Sequence, residues 1–341
     1  MGRVSPRTRV VSSVGMPFRS ARGFSLIEIL ASLAVLSVVV IAVASLLAMT
    51  QSSYTRTIGK LDSFEVARSA FETFTRTVRQ ATLLSYLGYD DPKAPTEYRL
   101  KSDLHFLSGP QDELPLTGTG AANTHAVFFQ APLGVAETED LQSANLLLTA
   151  TGFFIGYGDD TMRPAFLDGK IPENRRFRLY QYLQPREQMT VYDHTITTQD
   201  GVPFQNEAYK GTAWFAQDVS AGRFCRPLAD NVVALAILPI TDGQPAARYL
   251  WNSRDAGVSY SHHRLPQALK VMMAVIDSKS AARLENGSQP PALYPSSLFT
   301  DPSKFDEDVR ELERVLGEFR PALNYRIFVA EIPLNAANTN L

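Results

Sequence analysis

The sequence predicts an α+β chain: one long N-terminal helix, membrane-spanning and then amphipathic, packed on an antiparallel β-sheet head. Three observations carry this. From Phe24 to Met49 the only ionisable side chain is Glu28. That stretch makes roughly 39 Å of helix at about 1.5 Å per residue, and about 20 residues suffice for a bilayer core. Next, Ile58, Leu61, Phe64, Ala67, Phe71, Phe74, Val78 and Ala81 recur at three- and four-residue steps, the period of one apolar helix face. Third, the rest of the chain holds short β-branched and aromatic runs separated by Gly- and Pro-containing loops, the pattern of strands and turns.

The elements follow in order. Residues 1–23 form a leader with Arg3, Arg7, Arg9, Arg19 and Arg22 and no acid. The positive-inside rule keeps this end cytoplasmic and places everything after Met49 outside. The apolar run is too long for a secretory h-region, and no A-x-A site follows it. Met16 offers an alternative start that leaves a leader from Met16 to Gly23. Residues 24–50 are the expected transmembrane helix and 51–87 its amphipathic continuation. Gly88 is the expected stop, with Asp91-Pro92 just beyond.

Residues 88–341 form the expected β-rich, extracytoplasmic head. Its strands are expected at Thr124–Gln130, Asn145–Ile155, Arg175–Leu183, Asn231–Ile240, Ala268–Ile276 and Tyr325–Ile332, with a turn over Gly156–Asp160. Loops are expected at Tyr89–Pro95, Gly109–Gly120 and Asn286–Pro295. One late helix is expected, capped by Asp301, with Pro302 in its first turn. Its apolar face is Phe305, Val309, Leu312, Val315 and Phe319, and Pro321 ends it.

Glu28 is the chemical anomaly. A carboxylate within a membrane helix costs about 2.5–3.5 kcal/mol on insertion scales and marks a functional site with a partner to be named. The natural partner is an amine. Cleavage after Gly23 frees the α-amine of Phe24 at the same end of the helix, within one chain or between neighbours. Gly23-Phe24-Ser25-Leu26-Ile27-Glu28 followed by an apolar helix resembles the prepilin-type cleavage and methylation motif of type IV pilins and type II secretion pseudopilins. The resemblance implies a pilin-like fold, cleavage after Gly23 by prepilin peptidase and N-methylation of Phe24. It also implies packing of the helices of many subunits into a filament core, with Glu28 facing a neighbour's Phe24 amine.

A second resemblance lies in the head. Val233-Ala234-Leu235-Ala236-Ile237, Tyr249-Leu250-Trp251 and Leu265-Pro266-Gln267-Ala268-Leu269-Lys270-Val271 are similar to segments of the J-type minor pseudopilins. Pro266, lacking an amide hydrogen, suits a strand start or an edge. Thr77-Val78-Arg79-Gln80-Ala81 departs from that pattern, which has an acid shortly before the Gln-Ala. Arg226–Leu235 also resembles the prepilin-like cassette protein C family of Verrucomicrobia.

Other chemistry is poorly supported. A formal net charge of −2 gives no electrostatic case for nucleic acid. Cys225 is the single cysteine, so no intramolecular disulfide forms, and it is expected as a buried structural thiol. His262, His263 and His194 are expected as solvated loop imidazoles. Asp301, Asp306, Glu307 and Asp308 lack the spacing of a calcium loop and suit a helix first turn; Asp159-Asp160 is a weaker oxygen-rich pair. No catalytic constellation, metal or cofactor is expected. The resulting expectation is a filament subunit of the inner membrane, minor or tip, in a type II secretion or type IV pilus-like system. Its partners would be prepilin peptidase and other pilin or pseudopilin subunits. The alternative is a signal-anchored periplasmic binding protein or enzyme outside any filament.

Overall fold

Alternating apolar side chains and a continuous apolar helix set the architecture. A computed structural model describes residues 25–89, 94–116, 119–121, 123–142, 146–159, 166, 170, 175–192, 197–199, 202–204, 211–284 and 289–334. The side chains of 50–62, 192, 197–199 and 202–204 lie outside this description. Helix α1 runs Leu26–Val78. The chain forms two compact units, Met1–Arg56 and Thr57–Leu341.

In the first unit every described side chain from Ser25 to Met49 is exposed, and Leu26–Met49 is long and apolar enough to cross a membrane. Its serines do not stand open. Ser32 Oγ donates to Ile29 O at 2.9 Å, Ser37 Oγ to Leu33 O at 2.7 Å and Ser45 Oγ to Ile41 O at 2.9 Å. Polar groups on a helix in lipid must find partners within the protein, and these do so one turn back.

The second unit is built on two antiparallel sheets. Its strands are β1 (Tyr86–Tyr89), β2 (Tyr98–Lys101), β3 (Leu107–Pro110), β4 (His125–Pro132), β5 (Leu148–Gly158), β6 (Arg176–Gln184), β7 (Thr197–Gln199), β8 (Val202–Phe204), β9 (Cys225–Asp230), β10 (Val232–Thr241), β11 (Gln244–Pro245), β12 (Trp251–Asn252), β13 (Ala268–Ile276) and β14 (Tyr325–Pro333). Helices α2 (Glu139–Gln142), α3 (Ala213–Ser220), α4 (Ser278–Leu284) and α5 (Phe305–Glu318) intervene. One sheet has the order β12-β3-β4-β5-β6-β9 and the other β11-β10-β13-β14; β1-β2 and β7-β8 are hairpins.

Strand alternation assigns the faces. On the six-stranded sheet Val127 lies opposite Phe153, and Phe128 opposite Gly152. Phe74 of α1 meets Phe153 edge-to-face with ring centroids 4.9 Å apart. His125, on that same face, hydrogen-bonds the backbone of Ile237 in β10. The four-stranded sheet and the end of α1 therefore cover one face. On the other face Phe215 of α3 stacks on Phe128 at 3.9 Å. Gly152 makes room there: a Cβ on it would come within 2.2 Å of Phe128 Cδ1. Phe71 stacks at 5.6 Å on Phe328 of β14, so α1 touches both sheets. Helix α5 covers the outer face of the four-stranded sheet, joined by Lys270 Nζ to Asp306 at 2.7 Å and Tyr325 Oη to Glu313 O at 3.0 Å.

The chain passes between sheets at Asn231, whose φ of +62° suits asparagine better than most residues. Its N–H donates to Phe177 O in one sheet, and its carbonyl accepts from Ile276 N in the other.

The expected strands stand at β4, β5, β6, β10, β13 and β14, with β5 beginning at Leu148 and the expected start at Asn145 outside the described residues, and the late helix stands at α5. Several expectations are corrected. α1 ends at Val78, not near residue 87, because tertiary bonds capture the chain: Thr82 N–H donates to Gln130 O at 3.0 Å. Gly88 is no helix stop; it sits in β1 opposite Arg99. Gly156 and Gly158 continue β5 opposite Arg178 and Arg176 rather than turning, and Gly109 lies in β3. Asp160 lies outside the described residues.

Candidate functional site

Gly23 and Phe24 lie outside the described residues, and Ser25 is the first described. Glu28 sits in the first turn of α1, where the helix dipole favours a carboxylate. Its N–H donates to Ser25 O at 3.0 Å, and Ile29 N–H donates to the same oxygen at 3.2 Å. The Glu28 side chain is exposed among exposed Leu26, Ile27, Ile29 and Leu30. The element therefore presents one carboxylate at the end of an otherwise apolar surface of 24 residues. Chemically it can bind a cation, and an unpaired carboxylate in hydrocarbon is costly.

The residues set aside in the sequence are accounted for in the head. Cys225 is half-buried, not buried, because it opens β9 at the sheet edge. Its thiol lies 3.2 Å from Arg223 O, and burial, then Asp218, pushes its pKa up to about 12. His263 is not a solvated imidazole. It has a φ of +55°, and its Nδ1 accepts from Ser102 N–H at 3.1 Å. Burial first, then His262, holds it down at about 4. His262 packs beside it with ring centroids 4.1 Å apart. His194 lies outside the described residues.

The oxygen-rich clusters are divided among separate partners. Asp301 accepts from Ser303 N–H at 3.0 Å as a cap, Asp306 pairs with Lys270, and Asp308 accepts from Phe299 N–H at 2.8 Å. Asp159 pairs with Arg175 at 3.1 Å. Among the described residues no group of three or more His, Cys, Asp or Glu side chains is placed to hold a metal.

Two buried histidines escaped the sequence reading. His105 Nδ1 accepts from Trp214 Nε1–H at 3.0 Å, and its Nε2 lies 2.8 Å from Asn252 Oδ1. His125 Nδ1 accepts from Ile237 N–H at 3.0 Å. Burial drives both pKa values down, to about 3 and about 4. Each ties distant elements together, which is a structural duty, and no local sequence pattern announces it.

Residues 18–44 match the prokaryotic N-terminal methylation motif, so the chain carries a prepilin-type N-terminus. A type IV-like pilin from Thermus thermophilus aligns in three dimensions at 11% identity, over 80% of this chain and 97% of that one, with a TM-score of 0.33. No curated protein sequence matches this chain.

Proposed function

We propose that this chain is a type IV pilin- or pseudopilin-like filament subunit, processed after Gly23 and assembled through its N-terminal helix. The observation that carries the proposal is Glu28, the single carboxylate at the start of the fully exposed apolar segment Leu26–Met49, within the matched methylation motif. A neighbouring subunit's methylated Phe24 amine neutralises it, which sets subunit register. Apolar contacts between helices supply the bulk of the cohesion. The leader stays cytoplasmic, and the head projects from the inner membrane into the periplasm. The head is bulky for a unit stacked many times along a filament, which favours a minor or tip position in a type II secretion or type IV pilus-like system. The partners are prepilin peptidase and other subunits, and the role is mechanical, not enzymatic.

The test is intact mass with N-terminal sequencing of the membrane-extracted chain, with and without co-expressed prepilin peptidase. The expected product begins at Phe24 and carries one added methyl group. An unprocessed N-terminus beside an active peptidase overturns the proposal.

A further inference from the structure

The two sheets end in four edges, and three are blunted. β11 and β12 each contribute two residues. β9 carries Pro227 and a register shift against β6. Such devices stop an edge from recruiting another strand. β14 differs. It pairs with β13 over nine successive residues without a shift, and its proline, Pro333, comes last. Among the described residues no strand pairs with its outer edge.

The hydrogen bonds fix its phase. Asp277 N–H donates to Asn324 O, and Leu334 N–H to Gln267 O, so the even-numbered residues of β14 bond to β13. The N–H and C=O groups of Tyr325, Ile327, Val329 and Glu331 point outward. The Val329 side chain is 50% exposed. Arg326, over the Phe64 ring at 5.6 Å, and Phe328 face α1; the odd-numbered side chains face α5.

We infer that the outer edge of β14 docks an extended strand of a different protein, added antiparallel. Alternating outward donors and acceptors are complemented by a main chain in extended form. Side chains set the partner's chemistry: β-branched residues opposite Ile327 and Val329, a base opposite Glu331 and an acid opposite Arg326. A second copy's β14 is a poor occupant. In any antiparallel self-pairing this phase sets odd-numbered residues opposite odd-numbered ones and even opposite even, so a second β14 never brings Arg326 opposite Glu331 and leaves both charges uncomplemented. The contact is separate from the helix-mediated assembly proposed above.

The probe is a fluorescent peptide, Ser-Lys-Thr-Val-Thr-Val-Glu-Ser, titrated by anisotropy against the full-length chain in detergent. Saturable binding is expected. N-methylation of both Val amides, which face β14 in this register, should weaken it at least about tenfold, whereas N-methylation of both Thr amides should not. Val329→Pro removes an outward donor and the exposed Val329 side chain but no bond to β13; it should weaken binding similarly and leave the head's melting temperature unchanged. The methylated peptides decide the matter if that variant misfolds. Absence of saturable binding by the unmodified peptide, or equal binding of the two methylated ones, overturns the inference.

Discussion

The two ends of α1 are one secondary structure made for two solvents. From Ser25 to Met49 every side chain is exposed, apolar residues run around the whole circumference, and one carboxylate interrupts them. From Phe64 to Val78 the apolar residues narrow to a stripe: Ala67, Ala70, Phe71, Phe74 and Val78 are buried, while Glu65, Arg68, Glu72 and Arg76 stay outside. A helix apolar all round suits lipid or other helices, and a striped one suits a single packed face. In the striped end each buried residue already has a folded partner. In the apolar end the exposed Glu28 side chain has no partner among the described residues, and under the proposal its partner comes from assembly rather than from the fold. Substitutions in the two ends should separate accordingly.

The largest effect should come from Glu28→Gln. Removing the charge should abolish filament incorporation, read as loss of the subunit from sheared filaments, while the unfolding midpoint of the head stays where it was. Undiminished incorporation would remove Glu28 from the assembly contact. Phe74→Ala should do the reverse. Phe74 is 1% exposed and wedged against Phe153 and Phe71. Truncating such a ring costs about 3–5 kcal/mol, so urea unfolding of the head should shift strongly while membrane insertion is unaffected.

The distinction was legible in the sequence to different degrees. The apolar run and Glu28 needed only composition and spacing. The stripe was legible at Ala67, Phe71, Phe74, Val78 and Ala81, all buried, and at half-buried Phe64. It was incomplete, since Ala70 is buried too; the side chains of Ile58 and Leu61 lie outside the described ones. What failed was the end of the helix. Thr82's bond to Gln130 is set by residues 48 apart, and no local breaker marks it. For the same reason the His105–Trp214 pair was hidden, since 109 residues separate its members. Strands with strong β-branched content were found, whereas short β3 and β12 depend on pairing with each other. At the candidate site Glu28 is placed, and Gly23 and Phe24 rest on the motif alone.

Acid should act on the head against which the striped end packs. His105 and His125 are held at about 3 and about 4 by burial, against about 6.5 in an unfolded chain. Below about pH 6.5 the unfolded chain binds protons that the folded head refuses, so their contribution is full above that pH and falls as pH drops through about 5. Each group adds a slope of at most about 1.4 kcal/mol per pH unit. Urea unfolding at pH 7 and pH 5 should show the loss. His105→Gln should be less stable at pH 7 but have a shallower pH slope; an unchanged slope would mean that His105 does not titrate as its burial implies.

The smallest effect should come from the solvent side of the stripe. Arg68 Nε lies 3.0 Å from Glu72 Oε1, one turn on, with both side chains about two-thirds exposed or more at 70% and 66%. Exposed pairs of this spacing contribute about 0.2–0.5 kcal/mol and are screened by salt, and a base preceding the acid is the weaker order. Glu72→Gln should therefore shift the unfolding free energy by less than about 0.5 kcal/mol, and the difference should vanish in about 1 M salt, where the Debye length is about 3 Å. A salt-insensitive loss above about 1 kcal/mol is too large for an exposed pair. It would mean that this face is covered by protein, so that the helix beyond the membrane is not striped but enclosed, and the contrast between its two ends would have to be redrawn.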